Sequence, residues 1–429
     1  MLNRIYLCLA HMSEAGWEQK YIKEAFDTNW VVPLGPNVNG FEEDLRQYVC
    51  RMPDSQPALN REIVALSSGT AAVHLGLLAC GVGPGDEVLV QSFTFCASTH
   101  PVKYLGAIPV MIDSEEETWN MDPELLEKAI CDRIAVTGRK PKAIVPVYLY
   151  GMPAKIDEII AIANRYDIPV LEDAAEGFGS KYKGRVVGTF GRYGVLSFNG
   201  NKIITTSGGG ALICPDAEAR DRVMWYATQA REAYPYYHHE AVGYNYRLSN
   251  ICAGIGRGQM RVLDEHIAHH RRIAAMYRDA FAAVDGITFH DEPKEMQSNF
   301  WLSTILLDEH LRVKGEEYAY EQPVCGAVGG AAGMVHSGGS VHTDCEPNRN
   351  VEAMRVALDK AGIESRPLWK PMHRQPVYHD VPAYINGVSE SLFHRGLCLP
   401  TGPMVTEADV ERVIETILST INYTINHRI

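Results

Sequence analysis

Residues 197–210, SFNGNKIITTSGGG, set one lysine, Lys202, between an Asn-Gly turn and a β-branched run that closes on three glycines. Alone, Lys202 is a surface lysine opening a hairpin strand. Two other stretches give it company. SSGTAA (67–72) lies between a strand-forming and a helix-forming run, so Gly69 can turn tightly and the amides of Gly69, Thr70 and Ala71 begin a helix. Those amides, with the hydroxyls of Ser68 and Thr70, suit a phosphate, although an unliganded capping turn would use the same residues. VLEDAAEGFGS (170–180) puts Glu172 and Asp173 where a buried strand ends. A carboxylate there is costly unless paired; it can face a protonated nitrogen heterocycle or cap a helix.

An amine, an acid and a phosphate cradle on different strand ends are what pyridoxal 5′-phosphate requires. The lysine bonds to its aldehyde, the acid keeps the pyridine nitrogen protonated so that the ring accepts electrons, and amides and hydroxyls hold the phosphate.

The elements that must position these groups alternate. REIVAL (61–66), DEVLVQ (86–91), IPVMID (108–113), KAIVPVYLYG (142–151) and IPVLEDAAE (168–176) are apolar runs bounded by breakers, as in strands buried on both faces. Helical spacing separates them, and the pattern up to about residue 255 predicts an α/β unit with a mostly parallel sheet. Ligands of such sheets sit beyond the C-terminal strand ends. WEQKYIKEAFDTN (17–29) and FEEDLRQYVC (41–50) predict helices flanking a loop, VVPLGPNVNG. YGVLSF and ALIC predict two further strands, with ITTSGGGALIC setting the Lys202 backbone on a sheet edge and its glycines admitting another chain segment. One long helical stretch, 249–285, leads toward a second, α+β domain. The glycine-rich stretch 313–349 predicts a surface insertion or mobile flap, with Tyr318 and Tyr320 packing locally and one short strand over 324–328.

Composition bounds the alternatives. The 429 residues are 46% hydrophobic and 22% charged, ample for a large and a smaller domain. A net charge of -13 weighs against a nucleic-acid partner. No run is long and apolar enough for a membrane span, and the N-terminal stretch lacks the flanks of a secretory signal. Ten cysteines without a CxxC pair read as reduced, mostly buried cytoplasmic thiols. HTDC (342–345) has no second pair to complete a zinc site, so no metal is expected.

SFTFCASTHPVKYLGAIPV, VPVYLYGMPAKIDEI, LEDAAEGFGSKYKGRVVGTFGRYGVLSFNGNKIITTSGGG and GYNYRLSNICAGIGRGQ together resemble the nucleotide-sugar aminotransferases of the DegT/DnrJ/EryC1/StrS group. The likeness runs through 6–312 and resumes near 350; the stretch between departs from the family, where that connection is usually short. The resemblance implies an α/β, fold-type I pyridoxal-phosphate transferase. A large domain (1–255) would hold a mostly parallel seven-stranded sheet, and a small C-terminal α+β domain (256–429) would carry the 313–349 insertion. It implies Lys202 as the cofactor-linking lysine and Asp173 as partner of the pyridine nitrogen. Glu176 would lie near the ring's phenolic oxygen, Gly69, Thr70 and Ser197 at the phosphate, and Phe95 on the ring face. Asn245 would reach the phosphate of a neighbouring subunit's cofactor, which implies a homodimer with shared active sites.

Within the family, the segments AHMSEAGWEQKYIKEAFDTNWVVPLGPNVNGFEEDL and IESRPLWKPMHRQPVY resemble a narrower branch. That branch transfers an amino group from L-glutamate to C4 of a UDP-linked 4-keto-6-deoxy-N-acetylhexosamine, on the route to bacillosamine-type sugars. Arg366, Trp369, Lys370 and His373 are candidate sugar or nucleotide contacts, with Arg366 and Lys370 suited to diphosphate oxygens. Trp30 and Pro33 could wall the sugar pocket. The alternatives are a C4-aminotransferase for a GDP- or dTDP-linked sugar and a dehydratase of the same fold. The dehydratases carry histidine in place of the lysine, and Lys202 argues against them. A non-catalytic cofactor-binding regulator is disfavoured by Lys202 and Asp173 together.

Overall fold

The computed structural model describes residues 3–319 and 345–421. The long buried runs of the first half become seven strands: β1 (Glu62–Leu66), β2 (Glu87–Gln91), β3 (Ile108–Ile112), β4 (Ala143–Val145), β5 (Leu171–Asp173), β6 (Tyr193–Ser197) and β7 (Gly210–Cys214). Their spatial order is β1-β7-β6-β5-β4-β2-β3. Ladders join the two halves of this series, and the bridges Ile144 to Val170 and Val147 to Asp173 connect β4 to β5. Only β7 opposes the others, pairing antiparallel with both β1 and β6. The expected mostly parallel seven-stranded sheet is therefore present. A late segment, Ala383–Tyr384, adds a short parallel strand outside β3.

Alternation along each strand explains the layering. Ile63 and Ala65 of β1 join one apolar cluster with Leu89, Ile144 and Ile213. Val64 and Leu66 join the other with Val88, Val145 and Leu212. Both faces are dry, so helices must cover both. The helix Gly69–Ala79, apolar nearly all round, is accordingly buried over most of its length.

The last third forms an antiparallel sheet ordered Ile287–Phe289, Ser303–Leu307, Gly396–Leu399, Arg366–Pro367. It shares a separate core with helices Leu263–Phe281, Arg349–Lys360 and Glu407–Thr420. Ile5 belongs to that core and bridges to Ile363, so the N-terminal segment crosses to the C-terminal part of the fold. No helix among the described residues is long and apolar enough to cross a membrane.

Several local expectations are corrected. The stretch VVPLGPNVNG is not loop throughout: the helix begins at Pro36, because proline at the first helical position loses no needed N–H. KAIVPVYLYG stays extended only over Ala143–Val145, and IPVLEDAAE only over Leu171–Asp173. The single helix over 249–285 is two, Asn250–Met260 and Leu263–Phe281. Of the nine described cysteines only Cys8, Cys214 and Cys398 are buried. Most of 313–349, including Tyr320, 324–328 and HTDC up to Asp344, lies outside the described residues.

Candidate active site

Because six strands share one direction, their C-terminal ends gather on one edge, and β7 begins on that same edge. A cavity of about 330 Å³ opens there. Its walls come from the segments after β1, β2, β4, β5 and β6 and from the start of β7. Gly69, Thr70, Phe95, Asp173, Glu176, Ser197 and Lys202 all line it. Seven residues expected to serve one cofactor therefore converge on one cavity.

Lys202 is not on a strand. The chain leaves β6 into a turn closed by the Lys202 amide donating to the Asn199 carbonyl at 3.0 Å, and β7 starts only at Gly210. Its side chain is 12% exposed, which removes the reading of a surface lysine. Its amine donates to Glu176 Oε1 at 3.3 Å and lies 4.1 Å from the Trp301 ring centre.

Asp173 ends β5 and caps no helix. Ser98 Oγ–H donates to its Oδ2 at 2.6 Å and the Ala175 amide to its Oδ1 at 3.1 Å. Burial pushes its carboxyl up, opposed by the Ser98 hydroxyl, the Ala175 amide and Lys202. Glu176 is equally enclosed. Burial pushes it up to about 7, against Lys202 and the Tyr150 amide, which donates to Oε2 at 2.8 Å. Tyr150 aims that amide by adopting φ 54, a left-handed conformation that costs on the order of 1 kcal/mol or more in a non-glycine residue. The neighbouring Glu172 faces away from the cavity chemistry and holds Tyr148 Oη–H and the amides of Gly188 and Gly191.

The turn after β1 becomes the N-terminus of helix Gly69–Ala79. Ser68 caps it, its Oγ accepting from the Ala71 amide at 3.0 Å. Ala71 is thereby removed from the expected anion cradle. The amides of Gly69 and Thr70 donate to no group among the described residues, and they stand at the positive end of the helix. A Cβ on Gly69 would come within 2.9 Å of Ser197 Cβ. Gly210 is tighter: a Cβ there would meet Ser68 C at 2.4 Å and Gly69 N at 2.5 Å. The anticipated close approach of another segment to the glycine run is real, and that segment is the Ser68–Gly69 turn. Phe95 is 53% exposed and so is not a core aromatic; its ring lies 5.3 Å from that of Trp369.

A second cavity, about 950 Å³, adjoins the first across Phe95, Trp301 and Trp369. Arg366, Trp369 and Lys370 line it, as does the N-terminal segment Tyr6–Leu9, which no sequence motif announced. Arg366 donates to Glu364 Oε1 at 2.8 Å.

Four expected residues are not brought to either cavity. His373 is occupied elsewhere: Nδ1 lies 2.7 Å from Ser92 Oγ and Nε2 3.0 Å from Glu390 Oε1. Trp30 and Pro33 sit on an exposed corner, fixed through Asn250 Nδ2 donating to the Trp30 carbonyl at 2.8 Å. Asn245 is exposed and paired in a bridge with Thr228. Conversely, Ser98, Trp301 and Asn299 were missed. They touch Asp173, Lys202 and Glu176 across long chain separations, and no spacing signal could report that.

An amine, a buried acid, two unpartnered helix-terminal amides and an exposed aromatic face suit pyridoxal phosphate: the residues present fit the group. Comparison with known proteins agrees. The sequence profile of the DegT/DnrJ/EryC1/StrS aminotransferase family matches residues 13–319 and 332–418. EpsN of Bacillus subtilis (strain 168), named as a pyridoxal phosphate-dependent aminotransferase, is 43% identical over 419 residues, covering 97% of this chain and 95% of the relative. A GDP-perosamine synthase of Escherichia coli O157:H7 is 32% identical over 411 residues, covering 96% and 97%. Among solved structures, a DegT DnrJ EryC1 StrS aminotransferase from Brucella abortus superposes with a TM-score of 0.79 at 28% identity, covering 95% of this chain and 96% of that one.

Proposed function

This chain belongs to the DegT/DnrJ/EryC1/StrS family of pyridoxal-phosphate-dependent sugar aminotransferases, and from that premise we propose its substrates and the division of labour among its residues. The amino group passes from L-glutamate to C4 of a UDP-linked 4-keto-6-deoxy-N-acetylhexosamine, giving UDP-4-amino-4,6-dideoxy-N-acetyl-α-D-glucosamine. The observation that supports a nucleotide-sugar substrate is the pair of joined cavities; the UDP-linked 4-keto sugar rests on the resemblance of the N-terminal and 363–378 segments. The smaller holds Lys202, Asp173 and Glu176, and the larger has room and cationic side chains for a nucleotide sugar.

Pyridoxal phosphate, when bound, supplies an aldehyde for amine exchange and a ring that takes up electron density as a proton leaves the donor's α-carbon. Lys202 would be the residue that holds the cofactor's aldehyde carbon, and its Nζ would be the group that moves the α-proton. Asp173 holds a proton on the pyridine nitrogen, with Ser98 fixing the carboxylate's orientation. The Gly69 and Thr70 amides and Ser197 hold the phosphate. Phe95 covers the ring. Glu176, steered by the Tyr150 amide, shares a hydrogen bond with the lysine and meets the phenolic oxygen. Arg366 and Lys370 face the sugar's diphosphate, and Trp369 separates the two cavities.

The second subunit completes the site. Phe26, Trp30, Val31, Val32 and Leu34 are 59, 39, 49, 40 and 53% exposed, an apolar patch that supports a homodimer interface. Asn245 is exposed and lines neither cavity of its own chain, in keeping with a role in the neighbour's. We place the division between large and small domains at 255/256, inside the helix Asn250–Met260 and one element before the helix Leu263–Phe281, whose first residue packs in one core and whose Ile273, Tyr277 and Phe281 pack in the other.

A GDP-linked 4-keto-6-deoxy sugar is the second reading, favoured by the relatives named GDP-perosamine synthase. An amination panel separates the two. The enzyme is given glutamate and UDP-, dTDP- or GDP-linked 4-keto-6-deoxy sugars, and product mass is read. Fastest conversion of the UDP-N-acetyl substrate is expected; conversion of the GDP-sugar alone would overturn the UDP assignment.

A further inference from the structure

The lysine amine has a resting place within the cavity that no motif announced. It lies between the face of Trp301, 4.1 Å from the ring centre, and Glu176 Oε1 at 3.3 Å. An ammonium over an indole face is attracted by the ring quadrupole, more strongly out of water, and Trp301 is only 3% exposed. The residue is fixed through its ring and its backbone. Its Nε1–H donates to the Asn201 carbonyl at 2.6 Å, and its backbone amide donates to Asn299 Oδ1 at 2.8 Å. Asn299 Nδ2 in turn donates to the Glu176 carbonyl at 2.8 Å. One short segment, 299–301, therefore holds both walls around the amine.

We propose that Trp301 is a positioning residue: its ring face and Glu176 form a seat that keeps the Lys202 amine inside the cavity whenever it is not bonded to the cofactor. The inference rests on the reading of Lys202 as the cofactor-linking lysine. A long, four-carbon side chain released during turnover would otherwise sample many rotamers, and a fixed seat removes that search. The two contacts of Trp301 are separable. Phenylalanine keeps a π face without the N–H that ties the Asn201 carbonyl; leucine keeps bulk and has neither.

The test uses cofactor-free wild type, Trp301→Phe and Trp301→Leu, each checked for folding by circular dichroism. Acetic anhydride is added at fixed pH, and Lys202 acylation is read by peptide mass spectrometry against exposed Lys128. Loss of a desolvated cation–π contact should speed Lys202 acylation by about threefold or more in Trp301→Leu, with Trp301→Phe close to wild type. In loaded enzyme, Trp301→Leu should lower kcat with KM for glutamate nearly unchanged, and Trp301→Phe should recover most of the loss. Equal acylation in wild type and Trp301→Leu overturns the seat. So do equal increases in both variants, which would assign the effect to the lost Asn201 hydrogen bond. Should Trp301→Leu not fold, Trp301→Met supplies the non-aromatic arm. Borohydride reduction of the loaded protein keeps the two readings apart. Cofactor fixed on another lysine fails the Lys202 assignment, whereas cofactor fixed on Lys202 with unchanged acylation fails only the seat.

Discussion

Asp173 and Glu176 are both enclosed carboxyl groups on one stretch of chain, and their partners divide them. Asp173 is braced by a hydroxyl and an amide, so its charge can be spent on a ring nitrogen. Asp173→Asn keeps the size and the Ser98 contact but removes the charge. Both half-reactions should slow by about a hundredfold or more, read by single-turnover absorbance, with the thermal midpoint little changed. Glu176 instead accepts a hydrogen bond from Lys202, and burial lifts it to about 7. An acid raised in the folded state binds its proton more tightly there than in the unfolded chain. Its protonated form favours folding below the ordinary carboxylate range near pH 4.5, and that contribution is lost as pH climbs to 7. Glu176→Gln, always neutral, should therefore match cofactor-free wild type below pH 4.5 and exceed it above pH 7 by roughly 3 kcal/mol. Urea midpoints at pH 4 and pH 8 check this; parallel wild-type and variant curves would contradict it.

At the scale of elements, the site depends on one crossing. The start of β7 presses on the first turn of helix Gly69–Ala79, and glycine at 210 is what permits it. A Cβ at 210 would meet the backbone of Ser68 and Gly69, which cannot rotate away. Gly210→Ala should push the cradle off its place, costing about 1–3 kcal/mol of stability and weakening cofactor affinity by about tenfold in an absorbance titration. Gly208→Ala is the control. Nothing lies within 4 Å of a Cβ there, so stability should move by less than about 0.5 kcal/mol. Equal effects at both glycines would mean that the crossing is not what holds the cradle.

At the scale of the whole molecule, the proposed second subunit can be tested. With Asn245 exposed and not lining its own cavity, and five apolar side chains exposed between Phe26 and Leu34, complementation is expected. Lys202→Ala and Asn245→Ala proteins, each inactive, should regain activity when mixed and exchanged, because one site of the heterodimer then has both residues. The expected ceiling is about a quarter of wild type, since random exchange puts half the subunits in heterodimers and one of two sites in each is intact. No recovery after exchange verified by mass spectrometry would argue against a shared site.

The sequence by itself determined the sheet, the edge on which the site lies and most of the residues that meet there. Those follow from local physics: apolar runs buried on both faces, glycines at forced turns, and a lysine, an acid and a capping turn at strand ends. The family likeness then assigned their roles. Only the tertiary structure decided which side chains stand behind them. Ser98 on Asp173, Asn299 and Tyr150 on Glu176, and Trp301 on Lys202 come from segments distant in the chain, and periodicity carries no information about such pairs. It also decided that His373 belongs to Ser92 and Glu390 rather than to the cavities, and that Ala71 serves its own cap. A polar side chain takes whichever partner the fold brings within about 3 Å, and its neighbours in the chain do not specify that partner.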